Sequence, residues 1–121
     1  MKLRLHAGSL RLRLSQGEVA QLGSTGRVED SVEFSPGSRL LYALETGSAA
    51  VGASFDNASI LVKIPSPIAK TWIDSDQTGI EARSGKLRIL IEKDFQCLHR
   101  EPDAGEDPFP NPLALPPKSV S

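Results

Sequence analysis

The chain has 121 residues, a formal net charge of −1 and a single cysteine, Cys97. That length supports one hydrophobic core rather than two, and one cysteine excludes an intrachain disulfide. No stretch reaches the roughly 18 apolar residues that span a bilayer, the charge balance favours neither nucleic acid nor an anionic membrane, and the alternation of charge and leucine in Met1-Lys2-Leu3-Arg4-Leu5-His6 is not a signal peptide's apolar centre, so a cytoplasmic protein is expected.

Taken in chain order, Lys2 to His6 and Leu10 to Leu14 alternate polar and apolar residues at period two around Ala7-Gly8-Ser9. This predicts a half-buried hairpin with leucines inward and cations outward. Ser15-Gln16-Gly17-Glu18 has the form of a capping box, so a short helix carrying Val19, Ala20 and Leu22 should follow and end over Gly23 to Gly26. Arg27 to Phe34 and Arg39 to Glu45 read as strands about the turn Ser35-Pro36-Gly37-Ser38. Val51 to Phe55 is another, stopped by Asp56-Asn57.

Ile60 to Ile64 is the next strand, closed by Pro65. Ser66 suits an N-cap and Pro67 the first helical position, and Ile68, Ala69, Trp72 and Ile73 then share one helical face. After Asp74-Ser75-Asp76-Gln77, Gly79 to Arg83 and Lys86 to Asp94 are strands about Ser84-Gly85. The chain then turns acidic and Pro-rich: Glu101, Asp103, Glu106 and Asp107 precede Phe109-Pro110-Asn111-Pro112. Residues 99–121 are expected to form an extended arm with a disordered end, and residues 1–98 one globular domain.

The halves overlay. Leu10, Leu12 and Leu14 stand fifty residues before Ile60, Val62 and Ile64, and Leu22 fifty before Trp72. The expected fold is mainly β (α+β): a duplicated β-α-β-β unit, about residues 9–55 and 59–95, forming a small barrel-like or two-layer domain with two short helices.

Two resemblances follow. Ile60-Leu61-Val62-Lys63-Ile64-Pro65, a short helix and Thr78-Gly79-Ile80-Glu81 resemble the unit of the swapped-hairpin transcription-factor domains, which bind DNA as dimers. Two such units in one chain resemble the cradle-loop and double-psi barrel group. The pattern departs from the DNA-binding members, which are rich in exposed Arg and Lys; here the helix segments carry only Glu18 and Lys70. Over nearly its whole length the chain also resembles a small family of uncharacterised bacterial proteins. The shared features are Ser15-Gln16-x-Glu18-Val19, Gly26-Arg27-Val28-Glu29, Glu92-Lys93-Asp94-Phe95-x-Cys97-Leu98 and Phe109-Pro110-Asn111-Pro112. That resemblance implies no activity and no cofactor.

Three constellations bear on function. Cys97, His99 and Asp103, with Glu106 and Asp107, mix soft and hard ligands and would suit a metal; the competing reading makes Cys97 a small buried hydrophobe. The same Cys-x-His pair is a possible nucleophile and base, but no third orienting group can be named. Lys2, Arg4, Arg11 and Arg13 form a cationic hairpin face that could take an anion or the chain's own acidic tail. Exposed pairs are worth at most about 1 kcal/mol each, so Phe109 would supply much of that anchoring by burial. Glu29, Asp30 and Glu33, and likewise Asp74, Asp76 and Glu81, read as solvated surface. No catalytic residue is nominated. The favoured reading is a non-enzymatic binding module with a protein partner or itself as partner. A metal-binding protein is the alternative, and a nucleic-acid regulator using the basic hairpin comes third.

Overall fold

The computed structural model describes residues 1–95. Its first five elements are two hairpins joined by a helix: β1 (Lys2–His6), β2 (Ser9–Leu14), α1 (Gln16–Thr25), β3 (Arg27–Ser35) and β4 (Ser38–Thr46). The same order then runs again: β5 (Gly52–Asp56), β6 (Ser59–Ile64), α2 (Ser66–Asp74), β7 (Gly79–Ser84) and β8 (Leu87–Lys93).

The hairpins exchange partners between the halves. One four-stranded sheet has the order β1-β2-β8-β7, the other β3-β4-β6-β5. Each is two antiparallel hairpins joined by a central parallel pair, β2 with β8 and β4 with β6. Each half therefore supplies one hairpin to each sheet. The pairing does not close into a barrel: β1 and β7 remain edges of one sheet, β3 and β5 of the other, although β5 and β7 touch.

Strand polarity places all four hairpin turns at one end. β2 and β8 run parallel and both begin at a turn, as do β4 and β6. The helices lie at the opposite end, because each leaves the far terminus of β2 or β6. Between the sheets, period-two alternation sends Leu10, Leu12 and Leu14, and Ile60, Val62 and Ile64, inward against Tyr42, Leu44, Ile89 and Ile91. Leu22 from α1 and Trp72 from α2 close the core, both essentially inaccessible. Burying each such side chain contributes about 1.5–3 kcal/mol.

The helix ends show why the chain turns where it does. The Ser15 hydroxyl accepts from the Glu18 amide, while the Glu18 carboxylate accepts from the Ser15 amide at 2.9 Å, so the capping box forms as read. α1 passes through Gly23 to Thr25, two residues beyond the expected start of its terminator, and Gly26 alone ends it. With φ +80° its N–H reaches the Leu22 carbonyl at 2.9 Å, and a Cβ there would also press to 3.1 Å from Thr46 Oγ1. In α2 the N-cap is Pro65 rather than Ser66, which is itself helical, and Pro67 follows in the first turn, where an N–H is dispensable. No helix among the described residues is long and apolar enough to cross a membrane.

Candidate interaction surfaces

At the turn end the two sheets line a groove of about 440 Å³. Its walls are paired across the two halves: Leu5 with Phe55 at the ends of β1 and β5, Leu10 with Ile60 at the starts of β2 and β6, and Leu40 with Leu87 at the starts of β4 and β8. Each side chain faces inward by the same alternation that fills the core. At this level no helix covers them, so Leu5 is 58% exposed and Phe55 69%. Val32, the register partner of Leu40, is 42% exposed and Phe34 beyond it 71%. Four of the six exposed large hydrophobic residues among those described thus gather at this end. Exposed apolar side chains gathered at one end of a domain mark a contact surface.

The turns around the groove carry little charge. They read His6-Ala7-Gly8-Ser9, Ser35-Pro36-Gly37-Ser38, Asp56-Asn57-Ala58-Ser59 and Ser84-Gly85-Lys86-Leu87, with Asp56 and Lys86 the only Asp, Glu, Lys or Arg. Asn57 and Ala58 both hold left-handed backbone, φ +50° and +58°, as a two-residue hairpin turn whose twist matches the strands requires.

The sequence-nominated cations lie on a different surface, the outer face of the β1-β2-β8-β7 sheet. Lys2 Nζ pairs with Asp94 at 2.9 Å, while Arg11 and Arg13 approach Glu92 at 3.6 and 3.4 Å. Arg4 stands opposite Arg11 in the β1–β2 register, so the four cations are brought together as expected. Cys97, His99 and Asp103 lie outside the described residues; among those described, no group of three or more His, Cys, Asp or Glu side chains could hold a metal ion. Of the acids read as solvated surface, Glu29 pairs with Arg27, Asp74 with Lys70 and Glu81 with Arg88, each with its side chain still exposed.

One charged cluster was not legible in the sequence. The Met1 ammonium pairs with Glu18, already part of the capping box, and with Asp30 at 3.0 Å, while Tyr42 Oη donates to the Met1 carbonyl at 2.7 Å. Burial pushes the Glu18 carboxyl up, but hydrogen bonds from the ammonium and from Ser15 outweigh it and leave the pKa lowered. The hydrogen bond from the ammonium lowers Asp30 as well. For the ammonium, burial works downward and its two carboxylate partners upward, with a net rise.

The sign of the pH dependence follows. Carboxyl groups with depressed folded pKa values stabilise the fold above the ordinary carboxylate range and lose that contribution as pH falls through their folded values. The denaturant midpoint is therefore expected to drop on acidification below about pH 4. Glu18→Gln with Asp30→Asn should flatten that drop. The ammonium, raised in the fold, contributes fully below its ordinary value of about 8 and loses its contribution as pH rises through the raised one.

A strand-paired α+β domain with an apolar mouth at its turn end is the class these features define. The chain belongs to a family of unknown function, DUF7009, whose model matches residues 1–113. No curated protein and no solved structure matches the chain.

Proposed function

We propose that the protein is a non-enzymatic interaction module that works through its turn end, and that the partner seated there is a second copy of the chain. The carrying observation is the exposure of Leu5 and Phe55 on an open apolar groove, with Val32 and Phe34 exposed towards the same end of the sheets. Knob and hole stand on one face: Phe55 rises at the rim of a groove that Leu10, Leu40, Ile60 and Leu87 floor. A face that carries both is self-complementary about a two-fold axis, the commonest form of association. Charge supports the same partner. A highly charged face meeting its own copy would repel, whereas these four turns hold one Asp and one Lys. Uncharged contact centres with aromatic anchors are typical of protein interfaces.

On this reading the repeated order of elements reflects an internal duplication, and the single cysteine suits a reducing bacterial cytoplasm. The chemistry offered by the mouth is burial of apolar surface, which binds without transforming a substrate.

Sedimentation equilibrium of the full chain tests the proposal. The wild type is expected to dimerise reversibly, and Phe55→Ser with Leu5→Ser to be monomeric. Both positions are more than half exposed, so the variant should keep its fold within about 0.5 kcal/mol per substitution. A wild-type chain that stays monomeric, or a dimer indifferent to both substitutions, would overturn it.

A further inference from the structure

The two halves bring the same elements to the turn end, but one hairpin is longer than its counterpart. In the β1-β2-β8-β7 sheet, Arg88 pairs with Ser9, the first residue of β2, and β8 has only Leu87 beyond that pair. In the other sheet the equivalent pair is Leu41 with Ser59, the first residue of β6, and β4 has Leu40, Arg39 and Ser38 beyond it. The backbone fixes this alignment. The Leu41 amide donates to the Ala58 carbonyl at 3.0 Å, and the Arg88 amide to the Gly8 carbonyl at 2.9 Å. The β3–β4 hairpin therefore overhangs its parallel neighbour by three residues, about 10 Å.

The overhang carries its own anchor. Its register skips from Glu33 with Arg39 to Ser35 with Ser38, and Phe34 is the residue left over. A bulge of this kind re-aims a side chain, and Phe34 is 71% exposed, the highest value among the large hydrophobic residues described. The overhang leaves its own groove open: Leu40 at its base lines the groove, whereas Phe34 does not. Charge is open here as well. Glu33 and Arg39 on the overhang make no ion pair among the described residues, and neither do Asp56 and Lys86, which adjoin the groove residues Phe55 and Leu87.

We propose that two copies of the chain exchange these overhangs. Each copy's Phe34 enters the other's groove, and its Glu33 and Arg39 meet the partner's Lys86 and Asp56. This rests on the reading of the turn end as a contact between copies and names the element that makes it. Anchor and groove stand at the same end of one chain, so a single two-fold axis satisfies both contacts at once. A groove of about 440 Å³ has room for a phenyl ring. The overhang bears one acid and one base, and so do the turns beside the groove, which lets each charge find its opposite across the interface.

Sedimentation equilibrium of full-chain variants tests the exchange. Phe34→Ser is expected to weaken the dimer about tenfold or more, with an unchanged circular dichroism spectrum because the side chain is exposed. Charge reversal reads the geometry. A chain with Glu33→Lys and Arg39→Glu should fail to dimerise at low salt, and so should one with Asp56→Lys and Lys86→Glu. Mixed in equal amounts, the two should dimerise about as tightly as the wild type, since every overhang then meets a groove edge of opposite sign. Damage within one chain would not be repaired by mixing. Indifference to Phe34→Ser, reversed chains that still dimerise alone, or no rescue on mixing would overturn the exchange. If Leu5→Ser with Phe55→Ser still dissociates the dimer in that case, the turn-end contact itself stands. A monomeric wild type would overturn both.

Discussion

Replacing Trp72 by alanine is expected to lower the unfolding free energy by about 3–5 kcal/mol, a large share of the roughly 5–15 kcal/mol that a domain has to lose. Trp72 is the largest fully buried side chain among the described residues, sitting where α2 closes the helix end of the core. Its counterpart in the first half is Leu22, so the indole fills volume on one side that an aliphatic chain fills on the other. Leu14, Ile64 and Ile91 of the same core cluster are strand residues fixed by the ladders, which leaves them little freedom to fill the space. Lys93, whose ammonium lies 5.7 Å from the ring centroid while donating to the Ser75 carbonyl, would lose its platform as well. The substitution to phenylalanine separates volume from polarity. Trp72 Nε1 is buried without a hydrogen-bond partner among the described residues, and removing that donor offsets part of the lost packing. Trp72→Phe should therefore cost well under half as much as Trp72→Ala in a denaturant titration.

The second large effect concerns the exchange of hairpins. Residues 1–48 made as a separate chain are expected to show no cooperative unfolding transition as a monomer, and residues 49–121 likewise. In the intact protein β2 pairs with β8, and β4 with β6, so either half alone exposes two central strand edges and one face of each hairpin. A lone hairpin is at best marginal in water, and a single ten-residue helix cannot cover two of them. Mixing the two chains in equal amounts should restore the circular dichroism and melting of the intact protein. A stably folded monomeric half would contradict the pairing.

Most of the local structure was legible, for physical reasons that can be named residue by residue. Lys2-Leu3-Arg4-Leu5 and Leu10-Arg11-Leu12-Arg13-Leu14 alternate because one face meets the core and the other water, and that constraint is written at period two. The Ser15 box and the glycine at 26 are short-range signals and need no tertiary context. The α2 start shifted by one residue because Ser66 and Pro65 can each precede a helix, and the choice depends on where β6 releases the chain.

Long-range pairing was not legible. Arg13 and Glu92 are 79 residues apart, and nothing in β2 distinguishes β8 from any other alternating strand as its parallel neighbour. The groove was missed for the same reason. Its walls come from β1, β2, β4, β5, β6 and β8, and Leu5 or Phe55 read singly is an ordinary inward strand residue. The available signal was positional: each stands two residues before a turn, at equivalent places fifty residues apart, beyond the reach of either helix. The four cations were read correctly as one face, because their alternation with leucine fixes their side of the sheet.

The central claim, that the turn end is where two copies meet, is tested most directly by a mixed sample of isotope-labelled and unlabelled full chain. Filtered nuclear Overhauser spectra are predicted to show contacts between copies among Leu5, Leu40, Phe55 and Leu87. Contacts between copies confined to the helix end or to the outer sheet faces, or none in a sample that sediments as a monomer, would contradict it.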